Sequence, residues 1–189
     1  PYDYSLEYSD SRYSIFNDRG NILNLRLGYI IGSIGHIPKS LMDVGYGNGD
    51  FLNCCKKSIK ELYGNDVEPA YPLKDNIKFI KDITSLEVEV ITFFDSLEHF
   101  PDIEFVKDLK CKYAVISLPW CSGGDDDEWF THWKHRKPDE HLYHFDEKTL
   151  EVFMNRMGYD IINFTNIEDK VRVDKNYTPN ILTATFKKR

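Results

Sequence analysis

The chain has 189 residues, a formal net charge of −7 and a hydrophobic fraction of 41%. This length suits one domain, predicted to span residues 1–189, and the composition excludes a disordered chain. The acidic balance makes a nucleic-acid partner unlikely, because a nucleic-acid surface needs clustered Lys and Arg. The sequence has no apolar run of the roughly 20 residues that a membrane helix needs, and no signal peptide is visible. We therefore expect no membrane association.

The cysteines indicate a reducing compartment. They form no CxxC pair, and the adjacent Cys54 and Cys55 are a poor arrangement for a disulfide or a zinc site. We expect reduced thiols and a cytoplasmic location.

The chain begins with a segment, 1–20, that is rich in Tyr, Ser and Asp and is interpreted as an N-terminal arm. Apolar residues at helical spacing follow, and capping and breaking residues bound the later helices. The predicted helices span 21–34, 50–60, 103–109 and 147–157. Short apolar runs predict strands at 41–44, 62–67, 77–80, 88–94, 113–118, 160–166 and 181–187.

The order of these elements predicts the fold class. Strands and helices alternate through most of the chain, which indicates an α/β fold with a parallel sheet covered by helices on both faces. The last two strands have no helix between them and are expected to pair antiparallel at one edge. The segment 119–145 is polar, aromatic and rich in His, and an irregular segment of this length is usually functional.

A glycine-rich turn follows the first strand. Gly45, Gly47 and Gly49 permit a tight turn and a close approach of the backbone to a ligand at the end of a parallel strand. The spacing is GxGxG, whereas dinucleotide sites use GxGxxG. Asp43 and Asp50 flank the turn, and acids there would repel a pyrophosphate but tolerate a sulfonium. The turn therefore favours S-adenosylmethionine (SAM) over NAD.

Acids also follow the later strands, at the edge of the sheet where ligands bind. Asp66 lies 21 positions after Gly45, which suits an acid that accepts hydrogen bonds from ribose hydroxyls. Asp82 follows the third strand and is placed to reach an adenine amine. Asp95 follows the fourth strand. Each acid alone is also explained as a helix cap or a solvated loop residue.

An ordered set of motifs carries a family resemblance: DVGYGNG at 43–49, GNDVEP at 64–69, FDSLEHFPD at 94–102, ISLP at 116–119 and HLYHF at 141–145. Over about residues 20–187 the chain resembles class I SAM-dependent methyltransferases of the methyltransferase-23-like group. The resemblance implies a Rossmann-like seven-stranded sheet of order 3-2-1-4-5-7-6 with the seventh strand antiparallel. The implied cofactor-binding residues are Asp43, Gly45, Tyr46, Gly47, Gly49, Asp66, Val67, Asp82, Ile83 and Asp95. Tyr46 departs from the small residue common at its position, and we expect its side chain to point outward.

The acceptor side carries the candidate catalytic groups. A general base assists methyl transfer to a hydroxyl, and the predicted catalytic residues are His99, His141 and Glu98. The predicted substrate-binding residues are Trp120, Trp129, Trp133 and His144. Each of these two predictions has a structural alternative. The acids and histidines would then only stabilise local structure, and the tryptophans would form a small local core.

Two acceptor classes and one non-catalytic role remain open. The first acceptor is a small molecule methylated on a hydroxyl oxygen, for which no metal ligand is predicted. The second is RNA, because Asp95, Glu98, His99 and His141 distantly resemble the metal-binding set of small-RNA 3′-terminal 2′-O-methyltransferases. Asp replaces the first Glu of that set. The third possibility is a SAM-binding module that regulates a partner.

Overall fold

The computed structural model describes residues 19–67, 69, 71–74, 76–124, 126–172 and 179–189. Most of the predicted N-terminal arm therefore lies outside the described residues. The first helix, α1, spans Arg19–Ile34. It confirms the helix predicted at 21–34 and begins two residues earlier.

A seven-stranded sheet forms the centre of the molecule, in the order β3-β2-β1-β4-β5-β7-β6. Strand β7 is antiparallel to both β5 and β6, whereas β1 to β5 pair in parallel. The predicted order and the antiparallel seventh strand are thereby confirmed. The strands are β1 Ser40–Val44, β2 Glu61–Asn65, β3 Lys78–Phe79, β4 Val88–Phe94, β5 Cys111–Pro119, β6 Tyr159–Thr165 and β7 Ile181–Lys188.

Helices cover both faces of the sheet, so its central strands are buried on both sides. All five residues of β1 are buried. Neighbouring residues of a strand point to opposite faces, and Leu41 and Met42 accordingly belong to two different core clusters. The cluster of Met42 includes Leu150 and Met154 of helix α4, Glu147–Arg156. The cluster of Leu41 includes Leu52 of helix α2, Asp50–Cys55.

Several predicted bounds were wrong, and packing explains why. The helix predicted at 50–60 ends at Cys55, because the chain turns there to bury Ile59 before β2 begins. The segment predicted as a helix at 103–109 is a 3-10 helix, Glu104–Asp108. The segment at 119–145, predicted as irregular, contains a short helix, α3, Asp127–His132. This helix buries none of its residues, so it has no apolar periodicity to detect.

The segment before α4 is fixed by a helix cap. The Asp146 carboxylate accepts a hydrogen bond from the Thr149 backbone N–H at 2.7 Å, and the Thr149 hydroxyl accepts one from the Asp146 N–H at 3.0 Å. The chain leaves α4 through Gly158, at a φ of 91°. Among the helices in the described residues, none is both long enough and apolar enough to cross a membrane.

Candidate functional site

The glycine-rich turn after β1 has the conformation that its sequence predicts. Gly45, Gly47 and Gly49 all have positive φ angles, of 78°, 57° and 76°. A Cβ atom on Gly45 would lie 2.6 Å from the Cβ of Ser96, a distance that real side chains do not reach. The turn therefore requires glycine both for its backbone angle and for its contact with the segment after β4.

Asp66 and the turn are joined directly. The Asp66 carboxylate accepts a hydrogen bond from the Gly47 N–H at 2.9 Å. The Gly45 and Tyr46 N–H groups both donate to the carbonyl of Asn65, at 2.8 Å and 3.2 Å. These contacts hold Asp66, the predicted ribose-binding acid, next to the turn. Val67 follows it and is strongly exposed, at 77%.

Asp43 faces the interior of the protein. Its carboxylate accepts a hydrogen bond from the Thr92 hydroxyl at 2.7 Å. Burial raises the pKa of Asp43 to about 6, against the opposing effect of this hydrogen bond. The contacts of Asp43 thus connect β1 to β4 beneath the turn.

The expectation that Tyr46 points outward was wrong. Its side chain is buried, and its hydroxyl donates a hydrogen bond to the Tyr71 carbonyl at 2.8 Å. The ring lies beside Gly64, where a Cβ atom would come within 2.9 Å of it. Gly64 therefore leaves the space that the larger Tyr46 side chain fills.

Two further predicted cofactor-binding residues, Asp82 and Ile83, differ in burial. Asp82 is exposed, and its carboxylate accepts hydrogen bonds from the N–H and the hydroxyl of Thr84, at 2.9 Å and 2.7 Å. These bonds lower the pKa of Asp82. Ile83 is buried in the core. Their contact with a cofactor stays a prediction.

Asp95 lies in an ionic network that the sequence did not reveal. Arg172 donates to both carboxylate oxygens of Asp95, and Arg26 donates to one of them at 3.1 Å. Both arginines also contact the buried Glu168, at 2.8 Å and 2.9 Å. Desolvation acts to raise the pKa of Asp95, but the Arg172 and Arg26 guanidinium groups outweigh it and hold this pKa well below its usual range. The acid predicted to contact the cofactor thus has arginine partners at both oxygens.

The three predicted catalytic residues come together beside this network. Glu98 and His99 lie on the 3-10 helix Leu97–His99, directly after β4, and His141 comes from the loop after α3. One potential ligand atom from each residue lies within 4.8 Å of the others. The rings of His99 and His141 meet edge to face, with centroids 4.8 Å apart. We call Glu98, His99 and His141 the acceptor-side cluster.

Backbone contacts hold the cluster together. The Leu142 N–H donates to the Glu98 carbonyl at 2.8 Å, which ties the long loop to the 3-10 helix. The His141 Nδ1 lies 2.8 Å from the His135 carbonyl. Because a carbonyl only accepts, Nδ1 carries the proton and Nε2 keeps its lone pair.

Burial controls the charges of the cluster. Glu98 is 1% exposed, and among the described residues neither of its carboxylate oxygens has a hydrogen-bond partner. Burial, reinforced by the charge of Asp95, raises the pKa of Glu98 to about 8. Burial and the neighbouring His99 lower the pKa of His141 to about 4, so its ring is neutral at neutral pH.

Three of the four predicted substrate-binding residues pack together. Trp129 and Trp133 stack with ring centroids 5.3 Å apart, and His144 meets Trp133 at 5.6 Å. Trp133 is buried, at 4% exposure. Trp120 stands apart, and its indole N–H donates to Glu147 at 2.9 Å. This aromatic group fits the alternative of a small local core, and its role toward the acceptor stays a prediction.

Fold and site together define a class of protein. A parallel sheet of this order, with a glycine turn after β1 and an acid after β2, is that of class I SAM-dependent methyltransferases. Residues 35–163 match a family described as a methyltransferase domain, methyltransferase-23, and the chain belongs to that family. The chain is therefore an enzyme that uses SAM as its methyl donor. A search of curated proteins finds no match.

Solved structures share this fold at low sequence identity. The YcgJ protein of Bacillus subtilis is 14% identical with a TM-score of 0.63, over 86% of this chain and 97% of that chain. Magnesium protoporphyrin IX methyltransferase of Synechocystis, solved with bound S-adenosylhomocysteine (SAH), is 13% identical with a TM-score of 0.61, over 89% and 83%. The methyltransferase domain of bacterial CtHen1 is 18% identical with a TM-score of 0.58, over 87% and 98%.

Proposed function

We propose that the enzyme transfers a methyl group from SAM to a hydroxyl oxygen of a small-molecule acceptor, held at the acceptor-side cluster. One observation carries this proposal: the cluster follows directly on the segment that packs against the glycine turn. Ser96 contacts the position of Gly45, and Glu98 comes two residues after Ser96. A methyl group presented at the turn therefore has the cluster as its neighbour.

The proposed cofactor contacts follow from the same turn. The backbone of the turn surrounds the methionine part, and the Asp66 carboxylate accepts hydrogen bonds from the ribose hydroxyls. Val67, Asp82 and Ile83 lie along the adenine, and Asp43 and Tyr46 support the turn from beneath. The hydrogen bond of 2.9 Å between Gly47 and Asp66 favours this arrangement, because it holds turn and acid in a fixed relation before the cofactor arrives.

The proposed reaction is an in-line displacement. A lone pair of the acceptor oxygen forms the new O–C bond, and the C–S bonding pair returns to sulfur, which becomes the neutral thioether of SAH. The hydroxyl proton leaves to a base. His141 suits this task, because its Nε2 carries a lone pair and its ring is neutral at neutral pH. Positioning and charge supply most of the catalysis, since SAM is already activated.

The experiment that tests this function has two stages. Calorimetry with purified protein is expected to show binding of SAM and SAH. Transfer of a labelled methyl group is then followed with a panel of phenols, sugars and other hydroxyl compounds, alongside amine and thiol compounds of matching size. Methylation confined to amines or thiols contradicts the hydroxyl acceptor, and failure to bind SAM or SAH contradicts the whole proposal.

A second candidate acceptor is the 2′-hydroxyl at the 3′ end of RNA. The specific observation in its favour is that Glu98, His99 and His141 converge as the resemblance to small-RNA methyltransferases implies. The net charge of −7 argues against it. Short RNAs with free or 2′-O-methylated ends distinguish the two candidates: labelling of free ends only, with no labelling of small hydroxyl compounds, favours RNA.

A further inference from the structure

We infer that Arg26 binds the carboxylate of the amino-acid tail of SAM, and that Asp95 binds the ammonium group of the same tail. The sequence predicts that Asp95 contacts the cofactor, but it assigns no function to Arg26. This inference goes beyond the proposed function, because it concerns the methyl donor and is independent of the acceptor.

The surroundings of the glycine turn create a need for a cation. The tail of SAM carries a carboxylate and an ammonium group, and the turn lies among acids. Asp43 lies beneath the turn, Asp50 follows it directly, and Asp66 accepts a hydrogen bond from the Gly47 N–H at 2.9 Å. These acids attract the ammonium group and the sulfonium but repel the carboxylate. A carboxylate held beside the turn therefore needs a cation within reach.

Arg26 lies where this cation is needed. It projects from α1, and its guanidinium carbon lies 4.2 Å from the centroid of the Phe94 ring, at the end of β4. Its Nη2 lies 3.1 Å from Asp95, the next residue. Burial raises the pKa of Asp43, and the charge of Arg26 acts against this effect, which places the guanidinium near the end of β1 as well. The turn and its contact segment follow these two strands.

Arg26 has a donor atom left for a ligand. Its Nε and Nη2 donate to Glu168, at 2.8 Å and 3.1 Å, and Nη2 also donates to Asp95. Within the described part of the chain Nη1 makes no hydrogen bond, and the side chain is 11% exposed. Each terminal nitrogen of a guanidinium carries a pair of N–H donors. The existing contacts fix the orientation of the group, which lowers the entropic cost of binding a ligand.

Asp95 is the more exposed acid of the network. Its side chain is 35% exposed, whereas that of Glu168 is 1% exposed. Arg172 donates to both oxygens of Asp95 and Arg26 donates to Oδ2, so Oδ1 accepts fewer bonds and has capacity for another donor. Desolvation is outweighed by the two arginines, which hold the pKa of Asp95 low. Its carboxylate is therefore ionised, as a contact with an ammonium group requires.

The pair of Arg26 and Asp95 is complementary to the tail in charge and in spacing. The carboxylate and the ammonium group of the tail are attached to the same carbon atom, so their partners must be neighbours. Arg26 and Asp95 are in direct contact at 3.1 Å. Hydrogen bonds between ionised partners are stronger than those between neutral ones, so each contact is expected to contribute measurably to affinity.

The test compares three ligands by calorimetry with wild-type protein. They are SAH, its decarboxylated analogue S-adenosyl-3-thiopropylamine, which keeps the ammonium group, and methylthioadenosine, which lacks the whole tail. We expect SAH to bind about 10-fold or more tightly than the decarboxylated analogue, and methylthioadenosine to bind more weakly than both. Equal affinity for SAH and the decarboxylated analogue overturns the contact of Arg26. Equal affinity for the two analogues overturns the contact of Asp95.

Two variants then assign the carboxylate contact to Arg26. Arg26→Met removes the charge and the donors, whereas Glu168→Gln disturbs the same network from its buried side and keeps the charge of Arg26. Arg26→Met is expected to weaken SAH binding about 10-fold or more, and binding of the decarboxylated analogue less than about threefold. Glu168→Gln is expected to lower Tm and to keep the preference for SAH within about threefold of the wild type.

Two outcomes for the variants overturn the inference. The first is an equal loss of affinity for SAH and the decarboxylated analogue in Arg26→Met, since this indicates a purely structural role. The second is a preference for SAH that falls as much in Glu168→Gln as in Arg26→Met. Thermal stabilisation by methylthioadenosine shows that each variant is folded, and the comparison of ligands with wild-type protein decides the matter if a variant does not fold.

Failure of this inference is distinguishable from failure of the proposed function. Protein that methylates hydroxyl compounds but binds SAH and the decarboxylated analogue equally retains the function and loses this inference. Protein that prefers SAH through Arg26 but methylates only amines or thiols retains this inference and loses the hydroxyl acceptor.

Discussion

Replacing Gly45 by Ala tests the contact that joins the cofactor turn to the acceptor side. The added Cβ atom would lie 2.6 Å from the Cβ of Ser96. Ser96 has little freedom to move away, because it is buried and its hydroxyl donates to the Val44 carbonyl at 2.6 Å. Gly35 provides the matched control, since it has a similar φ of 80° and a Cβ atom there would meet nothing within 4 Å.

Both substitutions place a side chain on a left-handed backbone, but only Gly45→Ala also creates a collision. A left-handed conformation costs a non-glycine residue about 1–2 kcal/mol, in both variants. Overpacking adds about 1–3 kcal/mol in Gly45→Ala only, for a total of about 2–5 kcal/mol. One kcal/mol shifts Tm by about 2–4 °C in a chain of this size. We therefore expect Tm to fall by about 2–8 °C in Gly35→Ala and by about 4–20 °C in Gly45→Ala.

The assay is thermal unfolding followed by circular dichroism, with and without SAH. The difference in Tm between the two variants isolates the collision with Ser96. In addition, SAH is expected to stabilise Gly35→Ala as it does the wild type, and to stabilise Gly45→Ala much less. Equal Tm values and equal stabilisation by SAH in both variants would refute this account of the turn.

Three further predictions concern the acids of the site. Asp66→Ala is expected to weaken SAM binding about 10-fold or more by calorimetry, because charge-assisted hydrogen bonds contribute about 1.5–3 kcal/mol; unchanged affinity contradicts a ribose contact. The pKa of Asp43 is raised to about 6 when folded, so its charge destabilises the protein above pH 6 and this cost fades as pH falls toward 4. Asp43→Asn should therefore be more stable by up to about 3 kcal/mol in urea unfolding at pH 8, with no difference near pH 4; a difference independent of pH contradicts this. Glu168→Ala is expected to cost about 3–5 kcal/mol, because it leaves two partly buried arginines without this buried partner, and a loss below 1 kcal/mol contradicts that role.

The sequence was sufficient to predict the helices and strands that have a strong local pattern. Strand β4 was predicted at its observed bounds of 88–94, because a strand buried on both faces is a continuous apolar run. Strand β3 was predicted as four residues and has two, Lys78–Phe79, both exposed at the edge of the sheet. The sheet order came from the family resemblance, since strand periodicity carries no information about which strands are neighbours.

The candidate site was predictable where its residues lie in motifs, and unpredictable where it depends on distant pairs. Glu98, His99 and His141 were predicted from the motifs and converge as expected. The network around Asp95 was missed, because Arg26 and Glu168 lie 142 positions apart. The spacing of Glu168 and Arg172, four residues apart, was the one local signal, and it is common on helix surfaces.

The short segment after β4 connects the two halves of the proposed reaction. Asp95 has a φ of 54°, a strained conformation for a residue with a side chain, and the two arginines that hold its carboxylate stabilise it there. That turn directs Ser96 against the glycine turn and, two residues later, Glu98 into the acceptor-side cluster. Because Arg26 lies on α1 and Arg172 lies just after the 3-10 helix Ile167–Lys170, the conformation of this segment depends on elements from both ends of the described chain.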